Sequence, residues 1–88
     1  MIMSICAIYD SKAEAYLTPM YFQSTAQALR SFRDACNDDG SEFAKHPEDY
    51  TLFKLGEWDP RTGETALEAT PIAVSVGIHL VESEVKVS

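Results

Sequence analysis

Four side chains in this sequence could serve as metal ligands or nucleophiles: Cys6, Cys36, His46 and His79. Zinc sites draw their Cys and His ligands from pairs a few residues apart, and none of these four has such a neighbour. The spacing therefore predicts no metal site and no cofactor. Cys36 and His46 could still form a nucleophile–base pair in three dimensions, but no oxyanion hole is visible beside them. We expect two free, buried cysteines in a reducing compartment, with a disulfide between them as the alternative.

Other catalytic patterns are equally weak in this chain. Glu48 and Asp49 are adjacent carboxylates, and the simplest interpretation places them in a loop and at the start of a strand. The four glycines are isolated from one another, so there is no glycine-rich loop to hold a phosphate. The sequence therefore predicts a protein that is not an enzyme.

Aromatic and basic residues offer a different chemistry, because proteins that bind single-stranded nucleic acid combine stacking rings with a basic groove. The residues that we predict to contact nucleic acid are Arg30, Arg33, Lys54, Tyr16, Tyr21 and Trp58. Fourteen acidic residues against seven basic ones give a net charge of −7, which opposes binding unless the acids are segregated. On charge alone, a solvated helix face with Arg30 paired to Asp34 is the favoured interpretation.

The length of 88 residues suits one compact domain, and the 45% hydrophobic and 24% charged residues are ordinary for a globular protein. We predict a single domain over residues 1–81 and a polar, frayed tail over residues 82–88. The longest apolar run, Ile72 to Val81, is shorter than the roughly 20 residues that a membrane helix needs. The first nine residues are apolar but lack a basic start, so they do not indicate a signal peptide.

The first half of the chain predicts a hairpin followed by a helix. Ile2 to Tyr9 and Glu14 to Thr18 are rich in β-formers and are separated by a short polar turn. Ser24 and Gln27 fit a capping box, in which each side chain accepts from the other residue's backbone N–H. The helical stripe that should face the core consists of Ala28, Leu29, Phe32, Ala35 and Cys36. We expect Gly40 to close the helix in the left-handed conformation.

The second half predicts three strands. Tyr50 to Trp58 carries apolar residues on both faces, which is typical of a central, covered strand. Asp59 to Gly63 is a turn signal, and it makes Glu64 to Ala69 the return strand of a hairpin. Ile72 to Leu80 alternates apolar and small or polar residues, which favours a strand over a helix.

The predicted fold is therefore α+β, with about five antiparallel strands in the order β-β-α-β-β-β and one helix on one face of the sheet. One helix cannot cover both faces of such a sheet. Either the second face meets a partner, or the last strand folds over it, or the sheet curls into a partly closed barrel. Dimerisation through the exposed sheet or through Ile72 to Leu80 follows as a hypothesis.

Several segments resemble the small nonstructural protein of the gokushovirus group of single-stranded DNA microviruses, the phage open-reading-frame-five family. The resemblance covers about residues 1 to 70 in order and spacing. Its segments are Tyr9-Asp10, Pro19, Ala28-Leu29-Arg30-Ser31-Phe32, His46-Pro47-Glu48-Asp49-Tyr50-Thr51-Leu52-Phe53-Lys54-Leu55-Gly56-Glu57-Trp58-Asp59 and Thr62-Gly63. The motif positions have structural interpretations: Phe32 and Leu52 as core, Gly56 as a bulge or close approach.

The resemblance implies a non-enzymatic protein of the host bacterial cytoplasm that handles the viral genome. Its partner would be single-stranded DNA, bound during single-strand synthesis or packaging. The homodimer that the uncovered sheet suggests completes this interpretation. The alternative is an acidic interaction module that contacts a phage or host replication protein or a capsid-assembly protein. Neither alternative involves a membrane.

Overall fold

A computed structural model describes residues 1–82 as an antiparallel five-stranded sheet with one long helix packed on one face. The strands are β1 Met3–Asp10, β2 Ala15–Tyr16, β3 Met20–Phe22, β4 Tyr50–Trp58 and β5 Thr65–Val76; the helices are α1 Thr25–Cys36 and the short α2 Glu42–Lys45. Single 3-10 turns span Pro47–Asp49 and Gly77–His79. The α+β class, the strand count and the single main helix are confirmed, and the sheet is open rather than a partly closed barrel.

Strand β1 is the centre of the sheet, whose order is β2-β1-β4-β5. Strand β4 pairs with one edge of β1 along its whole length, and β2 and β3 share the other edge. The predicted hairpin is confirmed, with Tyr9 opposite Tyr16 and Asp10 opposite Ala15. Its second strand is shorter than expected, because Pro19 interrupts the segment and the chain pairs again only from Met20. The corrected element order is β-β-β-α-β-β.

Helix α1 begins as the sequence predicts, with one difference at the cap. The Ser24 hydroxyl accepts from the Gln27 N–H at 3.1 Å, while the Gln27 side chain accepts from the N–H of Gln23, one residue before the expected donor. Ala28, Phe32 and Cys36 are buried against the sheet. The helix ends at Cys36 with Asn37 as its C-cap, and Gly40 is not in the left-handed conformation, so the predicted glycine closure is wrong.

Strand β5 corrects the prediction for the last third of the chain. The expected strands Glu64 to Ala69 and Ile72 to Leu80 form one strand, which ends at Val76. Pro71 is tolerated because β5 lies at the sheet edge and residues 68–71 sit outside regular pairing with β4. The chain leaves the sheet at Gly77, where a side chain would come within 2.6 Å of the Pro47 carbonyl oxygen.

The end of the described chain returns to the helix side of the sheet. The Asn37 amide donates to the Leu80 carbonyl at 3.0 Å and accepts from the Glu82 N–H at 2.8 Å. The last segment therefore does not fold over the opposite face. The predicted frayed tail falls outside the described residues apart from Glu82.

The core lies between α1 and the sheet. Its buried members are Cys6, Ile8, Ala28, Phe32, Cys36 and Leu52. Both cysteines are free and only 1% exposed, which confirms their prediction as small buried hydrophobes. None of the described helices, within residues 1–82, is long and apolar enough to cross a membrane.

Gly56 provides a stability test, because it lies at a register shift in β4 and is packed against β5. A Cβ at this position would contact the Ala66 carbonyl oxygen and lie 2.8 Å from the Leu67 Cα. We expect Gly56→Ala to lower the free energy of unfolding by about 1–3 kcal/mol in urea titrations. Gly40→Ala is the matched control, since its nearest contact is 3.8 Å away, and should change stability by less than about 1 kcal/mol. Equal effects of the two substitutions would contradict the close approach.

Candidate nucleic-acid interface

The face of the sheet opposite α1 is open in the described part of the chain. Side chains alternate between the two faces along β1, and this alternation shows which of them lie on the open face. Cys6 and Ile8 pack in the core against α1, and the Ser4 hydroxyl lies 3.2 Å from that of Thr25. The intervening residues of β1 therefore point to the open face: Met3, Ile5, Ala7 and Tyr9.

Three rings form a first cluster on this face, here called ridge 1: Tyr9, Tyr16 and Phe53. Tyr9 and Tyr16 are directly paired on β1 and β2, and their ring centroids are 4.9 Å apart. Phe53 comes from β4 on the other side of β1, yet its centroid is 5.5 Å from that of Tyr16. The two rings meet over β1 because the residue opposite Phe53 is the small Ala7, which is 2% exposed beneath them.

Tyr21 and Trp58 form a second cluster, here called ridge 2, towards the other end of β1. Tyr21 on β3 is opposite Ile5, and Trp58 on β4 is opposite Met3. Their centroids are 5.5 Å apart with an interplanar angle of 77°, an edge-to-face contact made across β1. Ile5 is 5% exposed although no helix covers it, so these rings provide its cover.

The rings keep accessible surface while they cover the sheet. Tyr16 is 43% exposed and Tyr21 is 51% exposed, and the other three rings are half-buried. Strand register places only uncharged residues on this face: Met3, Ile5, Ala7, Tyr9, Tyr16, Tyr21, Thr51, Phe53, Gly56, Trp58, Thr65, Leu67, Ala73 and Val76. The open face is thus an uncharged aromatic surface on a protein of net charge −7.

The basic residues that the sequence predicts for the site lie elsewhere. Arg30 and Arg33 are exposed on α1, which packs on the other face of the sheet. Lys54 is opposite the core residue Cys6 and pairs with Glu57 at 3.1 Å. The six predicted residues therefore do not form one surface: Tyr16, Tyr21 and Trp58 share the open face, and the three cations are on the helix side.

Two further features bear on the charge of the site. The alternative pairing of Arg30 with Asp34 does not occur as an ion pair within residues 1–82. The turns at the two ends of the open face each contain one cation, Lys12 or Arg61, among acidic residues. Arg61 donates hydrogen bonds to the Asp59 carboxylate, and these bonds hold the pKa of that carboxyl below its ordinary value. Electrostatic attraction for phosphate at this face is therefore weak.

Sequence reasoning missed Tyr9 and Phe53 as members of the ring surface. Phe53 belongs to the strand that the sequence predicts to be covered on both faces, which gives no reason to expect its ring at a binding surface. Alternation along the first strand carried the signal for Tyr9, because Tyr9 has the parity opposite to that of the buried Cys6 and Ile8. The contact between Tyr16 and Phe53 had no sequence signal, since it depends on which strands flank β1.

The loop before β4 brings together groups that spacing alone did not indicate. Potential ligand atoms of His46, Glu48 and Asp49 lie within 4.8 Å of one another. His46 and Glu48 are exposed, and such groups cluster on protein surfaces without binding an ion. We therefore assign no metal site to these three residues.

Cys36 does not have the environment of an activated nucleophile. It is buried behind Gly77, where an added Cβ would lie 3.1 Å from its sulfur, whereas His46 is exposed. Burial raises the pKa of the Cys6 and Cys36 thiols above the ordinary value of 9.0. Reactive cysteines need the opposite shift.

The comparison with protein families gives the lineage of the chain. The family model described as Phage ORF5 protein matches residues 3–80, which is most of the sequence. The chain belongs to the phage ORF5 protein family. The match confirms the resemblance to the phage open-reading-frame-five family, and it spans all five strands and both helices described within residues 1–82. Neither the curated proteins nor the solved structures contain a match to the chain.

Thiol titration tests the buried state of the cysteines. Because both pKa values are raised, deprotonation favours the unfolded chain: stability is retained below pH 9.0 and falls as the pH rises above that value. We expect Ellman's reagent to label neither thiol of the folded protein at pH 8 within minutes, and to label both in guanidinium. Rapid labelling of the folded protein would contradict the assignment.

Proposed function

We propose that this phage ORF5 protein is a non-enzymatic protein of the host cytoplasm that handles single-stranded viral DNA by holding unpaired bases on the open face. The observation that carries the proposal is the pair of exposed tyrosines, Tyr16 and Tyr21, each held by other rings on an uncharged sheet surface. Proteins that bind single strands without sequence preference stack successive bases on such rings. The resemblance to proteins of single-stranded DNA microviruses supports the choice of ligand.

Stacking, rather than phosphate neutralisation, supplies the affinity in this proposal. Each base stacked on an aromatic ring is worth about 1–3 kcal/mol. In residues 1–82, Lys12 and Arg61 lie in the turns at the two ends of the ring surface, and Arg61 is already paired with Asp59. Binding should therefore depend weakly on salt, which separates it from binding by a basic strip on the helix side.

Fluorescence anisotropy with a labelled oligothymidylate tests this function. We expect Tyr21→Leu, which keeps the apolar cover but removes the ring, to weaken binding at least about five-fold. Arg30→Gln combined with Arg33→Gln should change the affinity less than about two-fold. With one or two phosphate contacts, the slope of log K against log salt should lie between about −0.7 and −1.4.

The opposite pattern would favour the helix side. If the arginine variant loses binding while Tyr21→Leu retains it, and the slope reaches about −2 as expected for three contacts, the site contains Arg30, Arg33 and Lys54. The absence of binding by the wild-type protein at tens of micromolar would overturn the proposal. Tyr21→Phe is the matched control for the ring, because it keeps the stacking surface and loses only the hydroxyl.

The second candidate is a protein-interaction module that contacts a replication or capsid-assembly protein, or a second copy of the chain. The edge of β5 favours it, since β5 is the last strand of the sheet and its outer edge pairs with no strand in residues 1–82. The segment Ile72–Val76 contains no charged residue, and Ile72 is 47% exposed. Such edges are templates for strand addition, and two copies related by a two-fold axis could pair there.

Sedimentation velocity tests the dimer. Ile72→Lys should shift a concentration-dependent dimer towards monomer by at least about ten-fold in Kd, because edge lysines oppose strand pairing. Ile78→Lys is the matched control, since Ile78 is equally exposed at 47% but lies beyond the strand. A monomer at all micromolar concentrations for the wild-type protein would exclude this contact.

A further inference from the structure

The two ridges of the open face are separate rather than one continuous stack. Ridge 1 is centred over Ala7 and Tyr9, and ridge 2 over Met3 and Ile5. The centres of the two ridges are four residue steps apart along β1, which corresponds to about 14 Å at the rise of an extended strand. A base that stacks on one ridge therefore cannot contact the other.

No ring lies between the two ridges among the strand residues that register places on this face. Ile5 and Ala7 are 5% and 2% exposed beneath ridge 2 and ridge 1 respectively, so they offer no contact surface of their own. On β4, Gly56 lies between Phe53 and Trp58 and contributes no side chain. The exposed Leu67 of β5 packs beside Gly56, so the two ridges are separated by an uncharged strip of sheet that contains no ring.

We infer that the open face is a bipartite site, in which ridge 1 and ridge 2 each take one base of the same single strand and the nucleotides between them contact no ring. This inference rests on the proposed function, and it adds the minimum length of the single strand that would bind. A base-stacked strand advances about 3.4 Å per nucleotide, so about four nucleotides span the 14 Å, and fewer span it when the strand is extended. The ligand is therefore an unpaired strand about three to five nucleotides long, with no sequence preference.

Base-paired DNA does not fit this site. A ring of each ridge must stack on the face of a base. In a duplex, both faces of an interior base are already stacked on neighbouring bases. Unstacking and unpairing would cost part of the stacking gain at each ridge. The bipartite site therefore selects single-stranded over double-stranded DNA by geometry, without base-specific hydrogen bonds.

Oligonucleotides with only two bases test the spacing. The probes are octamers in which all nucleotides are abasic except two thymidines, separated by zero to five abasic positions. Trp58 is the single tryptophan of the chain, so quenching of its fluorescence reports the occupation of ridge 2 directly. We expect probes with one to three abasic positions between the bases to bind at least about five-fold more tightly than the probe with adjacent bases.

Variants that remove one ridge provide the control for this series. Phe53→Leu and Tyr21→Leu each remove a ring from one ridge, and each should abolish the dependence on spacing while leaving weak binding of a single base at the other ridge. Ile78→Ala is matched as an exposed apolar residue that lies beyond the strands of the sheet, and it should retain the full dependence. Should a ring variant fail to fold, the wild-type series with Trp58 quenching decides alone.

The outcomes distinguish the inference from the function on which it rests. If fully based octathymidylate binds and quenches Trp58 but the two-base probes show no spacing optimum, the bipartite site is wrong and the proposed function stands. If octathymidylate does not bind, the proposed function fails as well. Equal affinity for an octamer duplex would overturn the selection for single strands.

Discussion

The structure depends on the burial of β1 from both sides although a helix covers only one. Cys6 and Ile8 are enclosed by α1, as expected for a sheet with a single helix. Ile5 and Ala7, on the other face, are almost as inaccessible. Their cover comes from the sheet itself, because rings from the flanking strands lean over β1 and meet there. The small side chain of Ala7 leaves the room that this arrangement needs.

This cover makes the rings structural and accessible at once. Edge-to-face aromatic contacts contribute about 0.5–1.5 kcal/mol each beyond the burial of their area. In a chain of 88 residues with a thin core, that contribution is significant. A substitution that simply truncates a ring removes cover from β1 as well as any stacking surface, which is why leucine and phenylalanine replacements separate the two roles.

Local signals in the sequence predicted the elements that local chemistry determines. Ser24 and the apolar stripe around Phe32 placed α1, and Asp59 to Gly63 placed the β4–β5 turn, where Gly63 has the positive φ of 80° that favours glycine. Strand β3 was not predicted, because the three residues after Pro19 are too few to show an alternating hydrophobic pattern. The end of β5 at Gly77 is set by the close approach of Pro47, a tertiary contact without a sequence signature.

The candidate site shows the same division between local and long-range information. The alternation of side chains along a strand can be read from the sequence, so the position of Tyr9 on the open face could have been predicted. The two ridges require in addition that β2 and β3 share one edge of β1 while β4 takes the other. Grouping Arg30 and Arg33 with the rings followed from composition, which does not reveal that α1 and the rings cover opposite faces.

The separation of charge from the rings gives the acidic composition a physical role. Phosphate contacts would dominate the affinity of a basic protein and hold DNA strongly at low salt. Within residues 1–82, strand register places no charged residue on the open face, and the acidic excess of the chain repels a polyanion from the remaining surface. Under the proposed function, a strand would be attracted only where its bases meet the rings, so binding would be confined to one face and readily reversible. Such reversibility would suit a protein that handles a genome, because a strand that is to be copied or packaged must be released again.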